Sequence, residues 1–241
     1  MKKIILLLIC ISCIAACIQK VRGQSELKLI KTVKLTISEP SGITVFNKHL
    51  YIVSDENGTI YKTTLDGKVL QKIKTNYSDL EGITYNPFAE NLLVVDESKR
   101  NLIELDFKGN LIKKRNIKGK QKNKNSGLEG ICFDTSKNKI YVLNEKSPKQ
   151  LLELNLKGEI KNKFELDFSR DVSGICYDEN NDNLWVTSDE SKAIYQISKK
   201  GKLLNKYKIS IEKMEGIVIY LNKIYVVSDS LNTLYIFEKT E

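Results

Sequence analysis

Short apolar runs alternate with polar turns from residue 26 onward, and within the runs apolar and polar residues alternate with the period of two that is typical of β-strands. One such run recurs as TIYKTTLDGK, NLIELDFKGN, LLELNLKGEI and AIYQISKKGK, with glycine turns such as Asp66-Gly67 and Lys108-Gly109. Alternation that ends in a glycine turn predicts antiparallel hairpins. No stretch after residue 25 keeps apolar residues at helical spacing for three turns, so the pattern predicts an all-β fold.

A tetrapeptide marks a longer period in the same pattern. It reads SGIT, EGIT, EGIC, SGIC and EGIV, and its glycines are Gly42, Gly82, Gly130, Gly174 and Gly216. The intervals are 40, 48, 44 and 42 residues, which is typical of propellers and solenoids. Each interval holds four short β-rich runs, so one repeat corresponds to one four-stranded blade.

The last repeat ends after three strands, whereas an additional strand precedes the first repeat. Residues 27–43 align without gaps to residues 201–217, so that Lys28 meets Lys202 and Gly42 meets Gly216. If the N-terminal strand completes the last blade, no sheet edge is left open at the seam. The sequence therefore predicts a five-bladed β-propeller over residues 26–241, with four strands per blade and a ring closed by the N-terminal strand. A β-solenoid or a sandwich is the alternative.

The first sixteen residues differ from the repeats. Two lysines precede thirteen mostly apolar residues, a run too short for a spanning helix of about 20 residues, and we interpret residues 1–16 as a signal peptide. The sequence IAAC at residues 14–17 resembles the lipobox of bacterial lipoproteins. We therefore expect Cys17 to carry the lipid and residues 17–25 to form a lipidated tether. The expected location is the bacterial cell envelope, anchored to the membrane by this lipid. A different cleavage site or an uncleaved anchor is the alternative.

The formal net charge of +9 raises the question of a nucleic-acid partner. The lysines fall mostly in turns and no stacking-aromatic motif accompanies them, so we expect that the protein binds no nucleic acid. We also expect a monomeric protein. The densest basic run, KKRNIKGKQKNKNSG from Lys113, is expected to form a solvated loop that could attract anionic lipid or polysaccharide. Cys132 and Cys176 share one position of the repeat, which favours small buried core residues over a disulfide.

Two sets of loops place acids on one face of the expected propeller. The inner strand of a blade runs from this face, the top, to the bottom, so the fourth-to-first and second-to-third loops both lie on top. The first set contributes Glu81, Glu129 and Glu215. The second set contributes Asp55, Asp96, Glu97, Glu145, Asp189, Glu190 and Asp229. Ordinary turn chemistry is the alternative for the second set.

Carboxylates at close quarters repel one another unless a cation lies among them. Ligand sets made only of oxygen suit Ca²⁺ or Mg²⁺. The single histidine, His49, falls in a hairpin on the opposite face, which argues against a histidine-dependent triad at the mouth. The sequence therefore predicts an acidic channel mouth that binds a divalent cation, preferentially Ca²⁺, or a small ligand.

The repeated EGIT followed by VVDES or TSDES, inside a propeller with a lipoprotein-like start, resembles the SdiA-regulated domain family over residues 26–241. The resemblance implies a cell-envelope propeller, linked in some members to calcium handling and suspected of phytase-like character. Carried over by position, it points to Glu81, Glu129 and Glu215 with Asp55, Asp96, Asp189 and Asp229. Ser41 and Ser173 depart from the glutamate position and Asn144 from the aspartate position, which favours a site on one side of the mouth.

Three functions fit these features. The first is non-catalytic binding at the acidic mouth. The second is a Ca²⁺-dependent hydrolase of phosphate esters or lactones, for which Lys99, Arg100, Lys146 and Lys192 could supply cations and metal-bound water the nucleophile. The third is a protein-interaction platform. Because the sequence offers no histidine or evident nucleophile at the mouth, binding is favoured, and catalysis stays open.

Overall fold

The computed structural model describes residues 26–123 and 125–239, which form five four-stranded antiparallel sheets. This confirms the predicted all-β, five-bladed propeller. Within the described residues, no helix is long and apolar enough to cross a membrane. The predicted signal peptide and Cys17 lie outside the described residues.

The strands, in chain order, are β1 (Lys28–Lys34), β2 (Pro40–Phe46), β3 (His49–Ser54), β4 (Ile60–Thr63), β5 (Val69–Ile73), β6 (Leu80–Asn86), β7 (Asn91–Asp96), β8 (Asn101–Leu105), β9 (Leu111–Asn116), β10 (Leu128–Asp134), β11 (Lys139–Asn144), β12 (Gln150–Leu154), β13 (Ile160–Glu165), β14 (Ile175–Asp178), β15 (Asn183–Ser188), β16 (Ala193–Ile197), β17 (Leu203–Lys208), β18 (Met214–Tyr220), β19 (Lys223–Ser228) and β20 (Thr233–Glu238). Blades 1 to 4 use four consecutive strands each, in the orders β2-β3-β4-β5, β6-β7-β8-β9, β10-β11-β12-β13 and β14-β15-β16-β17.

Blade 5 takes its strands from both ends of the described chain. Its order is β1-β20-β19-β18, with β1 as the outer strand. β1 runs antiparallel to β20, with Lys28 opposite Glu238 and Lys34 opposite Thr233. The ring is therefore closed by the N-terminal strand, as the alignment of residues 27–43 with 201–217 predicts.

The hydrophobic core is divided into five clusters, one at each interface between neighbouring blades. At the interface of blades 4 and 5, for example, the Trp185 ring stacks on Tyr207 with centroids 5.2 Å apart. Cys132 and Cys176 are free and buried in these clusters, as predicted. No single blade buries its own faces, so the blades stabilise one another around the whole ring.

The recurring glycines form a waist around the central channel. A β-carbon on any of the five would lie between 2.2 and 2.5 Å from a backbone carbonyl oxygen of the adjacent blade, a distance that only glycine permits. This close approach explains the repeated tetrapeptide. It narrows the channel to a cavity of about 10 Å³, which is room for about one water molecule. The waist separates an upper cavity of about 280 Å³ from a lower one of about 540 Å³.

Candidate metal centre at the mouth of the ring

The upper cavity, which we call the mouth, is lined mainly by acidic residues. Two lysines and three neutral residues complete its lining. Its carboxylates are Glu39, Asp55, Asp79, Glu81, Glu97, Glu129, Glu145, Asp171, Asp189, Glu190, Glu215 and Asp229. Nine of the ten predicted metal ligands are in this set, so the two loop sets do meet on one face.

The inner strands position the first set of acids. Glu81, Glu129 and Glu215 immediately precede the waist glycines in β6, β10 and β18. The pairing register shifts at this point in each strand, between Leu80 and Ile83 in β6 and at the equivalent residues of β10 and β18. Such irregularities re-aim side chains. Here they accompany three glutamates that face the mouth.

The second set of acids requires one correction. Asp96 does not line the mouth; it is the last residue of β7, is only 1% exposed, and accepts a hydrogen bond from the Lys99 N–H at 3.0 Å. Opposite Leu80, it occupies the position that Ser54 and Asn144 hold in their blades. The next residue along the chain faces the mouth instead, because side chains alternate along a strand.

With this register, every blade delivers an acid from its second-to-third loop. The five residues are Asp55, Glu97, Glu145, Asp189 and Asp229. Asn144 is therefore not a break in the set of loop acids, because Glu145, the next residue, supplies the acid of blade 3. Only the inner-strand position is interrupted, by Ser41 and Ser173, which also line the mouth.

Two groups of three carboxylates have geometry that suits a metal ion. In the group Asp55, Asp79 and Glu81, one oxygen from each residue lies within 4.8 Å of the others, and the group Glu97, Glu129 and Glu145 meets the same limit. Each group combines the loop acid of one blade with the inner-strand glutamate of the next. The donors are all carboxylate oxygens, a set that fits Ca²⁺ or Mg²⁺ and not Zn²⁺.

Backbone and hydroxyl groups orient both triplets. The Ser98 N–H donates to Asp79 Oδ2 at 2.8 Å, and the Ser41 hydroxyl donates to Glu81 Oε2. The Gly127 N–H, from the long β9–β10 connection, donates to Glu97 Oε1 at 3.0 Å. These contacts hold Asp79, Glu81 and Glu97, and all three line the mouth.

Burial and mutual repulsion raise the pKa values of these acids. Burial, followed by the nearby Asp55 carboxylate, raises the pKa of Glu81 well above its ordinary value. Burial and then Glu81 do the same for Glu129. Burial also raises the pKa of Glu97 to about 7 and that of Glu215 to about 8. These carboxyl groups therefore retain protons near neutral pH unless a cation among them compensates for their negative charge.

Two lysines reach the mouth within residues 26–123 and 125–239. Lys146 Nζ lies 2.8 Å from carboxylate oxygens of both Glu145 and Glu190, and this ion pair lowers the pKa of Glu190. Lys213 also lines the mouth, a residue that the sequence analysis did not identify. Lys146 belongs to blade 3 and Lys213 to blade 5, and the ion pair of Lys146 with Glu145 compensates part of the charge of the second triplet.

The other expected cations lie elsewhere. Arg100 is buried, and its guanidinium donates to Asn144 Oδ1 and to the Ile117 carbonyl. Lys99 lies 3.8 Å from Asp96, and Lys192 lies 3.6 Å from Glu212. None of these three lines the mouth. His49 is in the hairpin that follows β2, at the opposite end of the inner strand.

The sequence analysis also missed Glu39, Asp79 and Asp171. Each lies three residues before a waist glycine, and each lines the mouth. The corresponding residues in blades 3 and 5 are Gly127 and Lys213. Aligning the repeats on their glycines gives this column directly, so the signal was present in the sequence.

Solved structures with the same fold include several enzymes. Glutaminyl cyclase from Myxococcus xanthus is 11% identical with a TM-score of 0.72, covering 88% of this chain and 95% of its own. Virginiamycin B lyase from Staphylococcus aureus is 15% identical with a TM-score of 0.57, covering 88% of this chain and 99% of its own. A gluconolactonase from Xanthomonas campestris is 10% identical with a TM-score of 0.59, covering 90% of this chain and 95% of its own. At these identities the similarity concerns the fold.

The family is shown by sequence. The family model for SdiA-regulated proteins matches residues 38–239, which is nearly the whole described propeller. The match confirms the resemblance noted from the repeated EGIT and DES motifs. The chain belongs to the SdiA-regulated family.

Proposed function

We propose that this protein is an envelope-anchored propeller whose mouth binds Ca²⁺. The observation that carries the proposal is the pair of carboxylate triplets, Asp55-Asp79-Glu81 and Glu97-Glu129-Glu145, each compact enough to surround one ion. A divalent cation would replace the protons that these acids retain. The ligands of each triplet come from two neighbouring blades, so a bound ion would also link those two blades.

Binding without catalysis is the favoured activity. Of the four cations expected for a hydrolase, Lys146 is the one that lines the mouth, and it already contacts two carboxylates. It therefore neutralises the protein's own acids and is not held ready for a phosphate group. A small cationic ligand would fit the same acidic lining, and calcium is the simplest member of that class to test.

Calcium should stabilise the protein through these triplets. At a free concentration one hundred times the dissociation constant, a single site adds about 2.7 kcal/mol to the free energy of unfolding. Glu81→Gln should remove most of the gain from the first triplet and Glu129→Gln most of the gain from the second, because each replaces a charged ligand by a neutral amide. Isothermal calorimetry at low ionic strength and thermal unfolding with and without calcium measure both effects.

Glu56→Gln is the matched control, since Glu56 belongs to the same loop as Asp55 but is exposed and does not line the mouth. This variant should keep the full response to calcium. Wild-type protein that gives neither binding heat nor a thermal shift with calcium would disprove the site.

Without calcium, the free energy of unfolding should fall as pH rises toward 8, because acids with raised pKa values bind more protons in the folded than in the unfolded state.

The envelope location rests on the IAAC sequence at Cys17. Cys17→Ser should abolish incorporation of labelled fatty acid and shift the protein from the membrane fraction to the soluble fraction or to an unprocessed precursor. Metabolic labelling followed by fractionation measures this. Wild-type protein that is unlabelled and soluble without detergent would contradict the anchor. The calcium result does not depend on it.

A further inference from the structure

A basic groove lies on the outer rim, away from the mouth. We call it the rim groove; it has a volume of about 580 Å³ and is formed between the outer strands of blades 2 and 3. Arg115, Asn116 and Lys118 form the wall from blade 2. Residues 157–163, the end of the β12–β13 hairpin and the start of β13, form the wall from blade 3.

The charge of the rim groove is strongly one-sided. Its cations are Arg115, Lys118, Lys157, Lys161 and Lys163, and its one acid is Glu159. That acid is already engaged, since Lys161 Nζ lies 2.9 Å from its Oε2. The groove is therefore positively charged on both walls.

Three of these lysines remain available to a ligand. Lys118, Lys157 and Lys163 are exposed, and none forms a salt bridge within residues 26–123 and 125–239. Lys118 lies on one wall and Lys157 and Lys163 on the other, an arrangement that suits a ligand with several negative charges along its length.

The groove is a property of the packed blades. Gly158, at a φ of +75°, brings the blade 3 hairpin so close that a β-carbon there would lie 3.1 Å from Arg115 Cδ. Arg115 is held from behind by its ion pair with Glu104. The two walls are thus fixed relative to each other before any ligand arrives.

Protection of sheet edges explains only part of this charge. Lysines on outer strands discourage edge-to-edge pairing, and Lys161 and Lys163 on β13 fit that role. Lys118 does not, because it follows the end of β9 and lies on the facing wall. The convergence of charge from two separate segments points to a ligand.

We infer that the rim groove binds a linear polyanion. A concave channel with cations on both walls suits a flexible chain of charged groups better than a flat bilayer surface. The lining contains no aromatic ring, and Ile160 is its one large apolar residue, so recognition is by charge and not by stacking on bases or sugars. Lys113, Lys114, Lys120 and Lys122 extend the positive charge along the chain on either side of the groove residues 115–118.

The test uses the full chain in neutral detergent and inorganic polyphosphate as the probe. With three available lysines, the logarithm of the binding constant should fall with the logarithm of salt concentration with a slope of about −2. The combined variant K118E/K157E/K163E should bind polyphosphate at least roughly tenfold more weakly, with a slope near zero.

The matched control is K200E/K202E/K208E, which changes the net charge by the same amount at exposed lysines of blade 4 outside the groove. It should bind polyphosphate nearly as wild type does. Equal losses in both variants would show that binding follows net charge alone and would overturn the proposal. So would an absence of binding by wild type at low salt, or displacement of polyphosphate by phosphatidylglycerol vesicles at equal phosphate concentration, which would identify a bilayer-binding surface.

Discussion

Deletion of residues 26–37 should yield a protein that no longer folds to a stable propeller. The deletion removes β1, the outer strand of blade 5, and leaves the edge of β20 unpaired. It also removes Leu27, Leu35 and Ile37, which are at most 8% exposed. At about 1.5–3 kcal/mol for each buried side chain, their loss amounts to about 4.5–9 kcal/mol, which is comparable with the stability of a typical domain, about 5–15 kcal/mol.

Circular dichroism and thermal unfolding measure this effect. The control is a permuted chain in which residues 26–37 follow residue 239 through a short glycine turn, which is how the other blades connect their third and fourth strands. This chain should recover the cooperative transition, because it restores the strand without the original N-terminus. A truncated protein with the melting temperature of the full chain would contradict closure by β1.

Replacement of Lys239 by methionine should cost about 3–5 kcal/mol of stability, the range for breaking a buried ion pair. Lys239 Nζ lies 2.8 Å from Asp178 Oδ2, and the two side chains are only 6% and 1% exposed. The pair joins the end of blade 5 to the inner strand of blade 4, so it fastens the last blade to its neighbour. Without the lysine, the Asp178 carboxylate would be buried with no compensating charge. Chemical denaturation gives the difference directly.

The double variant Lys239→Met with Asp178→Asn should recover much of the loss, because it removes both charges together and keeps an oxygen that can accept the hydrogen bond from Trp185 Nε1. The effect also depends on pH. Burial raises the pKa of Asp178, but hydrogen bonds from Lys239 and Asn181 outweigh it and leave the pKa below its ordinary value. The pair therefore stabilises above the pKa of an unfolded aspartate, about 4, and the difference between wild type and Lys239→Met should shrink as pH falls below that value. A pH-independent loss would indicate packing alone.

The sequence was sufficient to predict the number of blades and the closure of the ring. Both rest on features that repeat: the glycine before each inner strand and the gapless match of residues 27–43 to 201–217. Five equivalent glycines are required because each lets one blade approach the backbone of the next. A constraint that acts at every interface leaves a periodic trace in the sequence.

The composition of the mouth was predicted less completely. Aligning the loops on their aspartates placed Asp96 beside Asp55, whereas the structure places Glu97 there. A shift of one residue exchanges the two faces of a strand, so the buried side chain and the mouth side chain were confused. Aligning on the preceding apolar run instead puts Ser54, Asp96 and Asn144 in one column and the acids in the next.

Lys146 could not be placed by the repeat, whereas Lys213 falls in the same column as Glu39, Asp79 and Asp171. Lys146 occurs in a single blade, so no periodic signal distinguishes it from Lys99 or Lys192. Which of these side chains reaches the mouth depends on the path of its own turn. Features that break the symmetry of a repeat protein are set by individual contacts, and these need the structure.

The waist of glycines also determines how solutes travel. With room for about one water molecule between the two cavities, the channel cannot conduct a hydrated ion from one face to the other. An ion in the mouth must therefore enter and leave by the same opening. A partner that covered this opening would trap the ion, and the ion could then not leave before the partner did. The waist thus closes the inner end of the upper cavity, and an ion in that cavity can exchange with the surrounding medium only through the mouth.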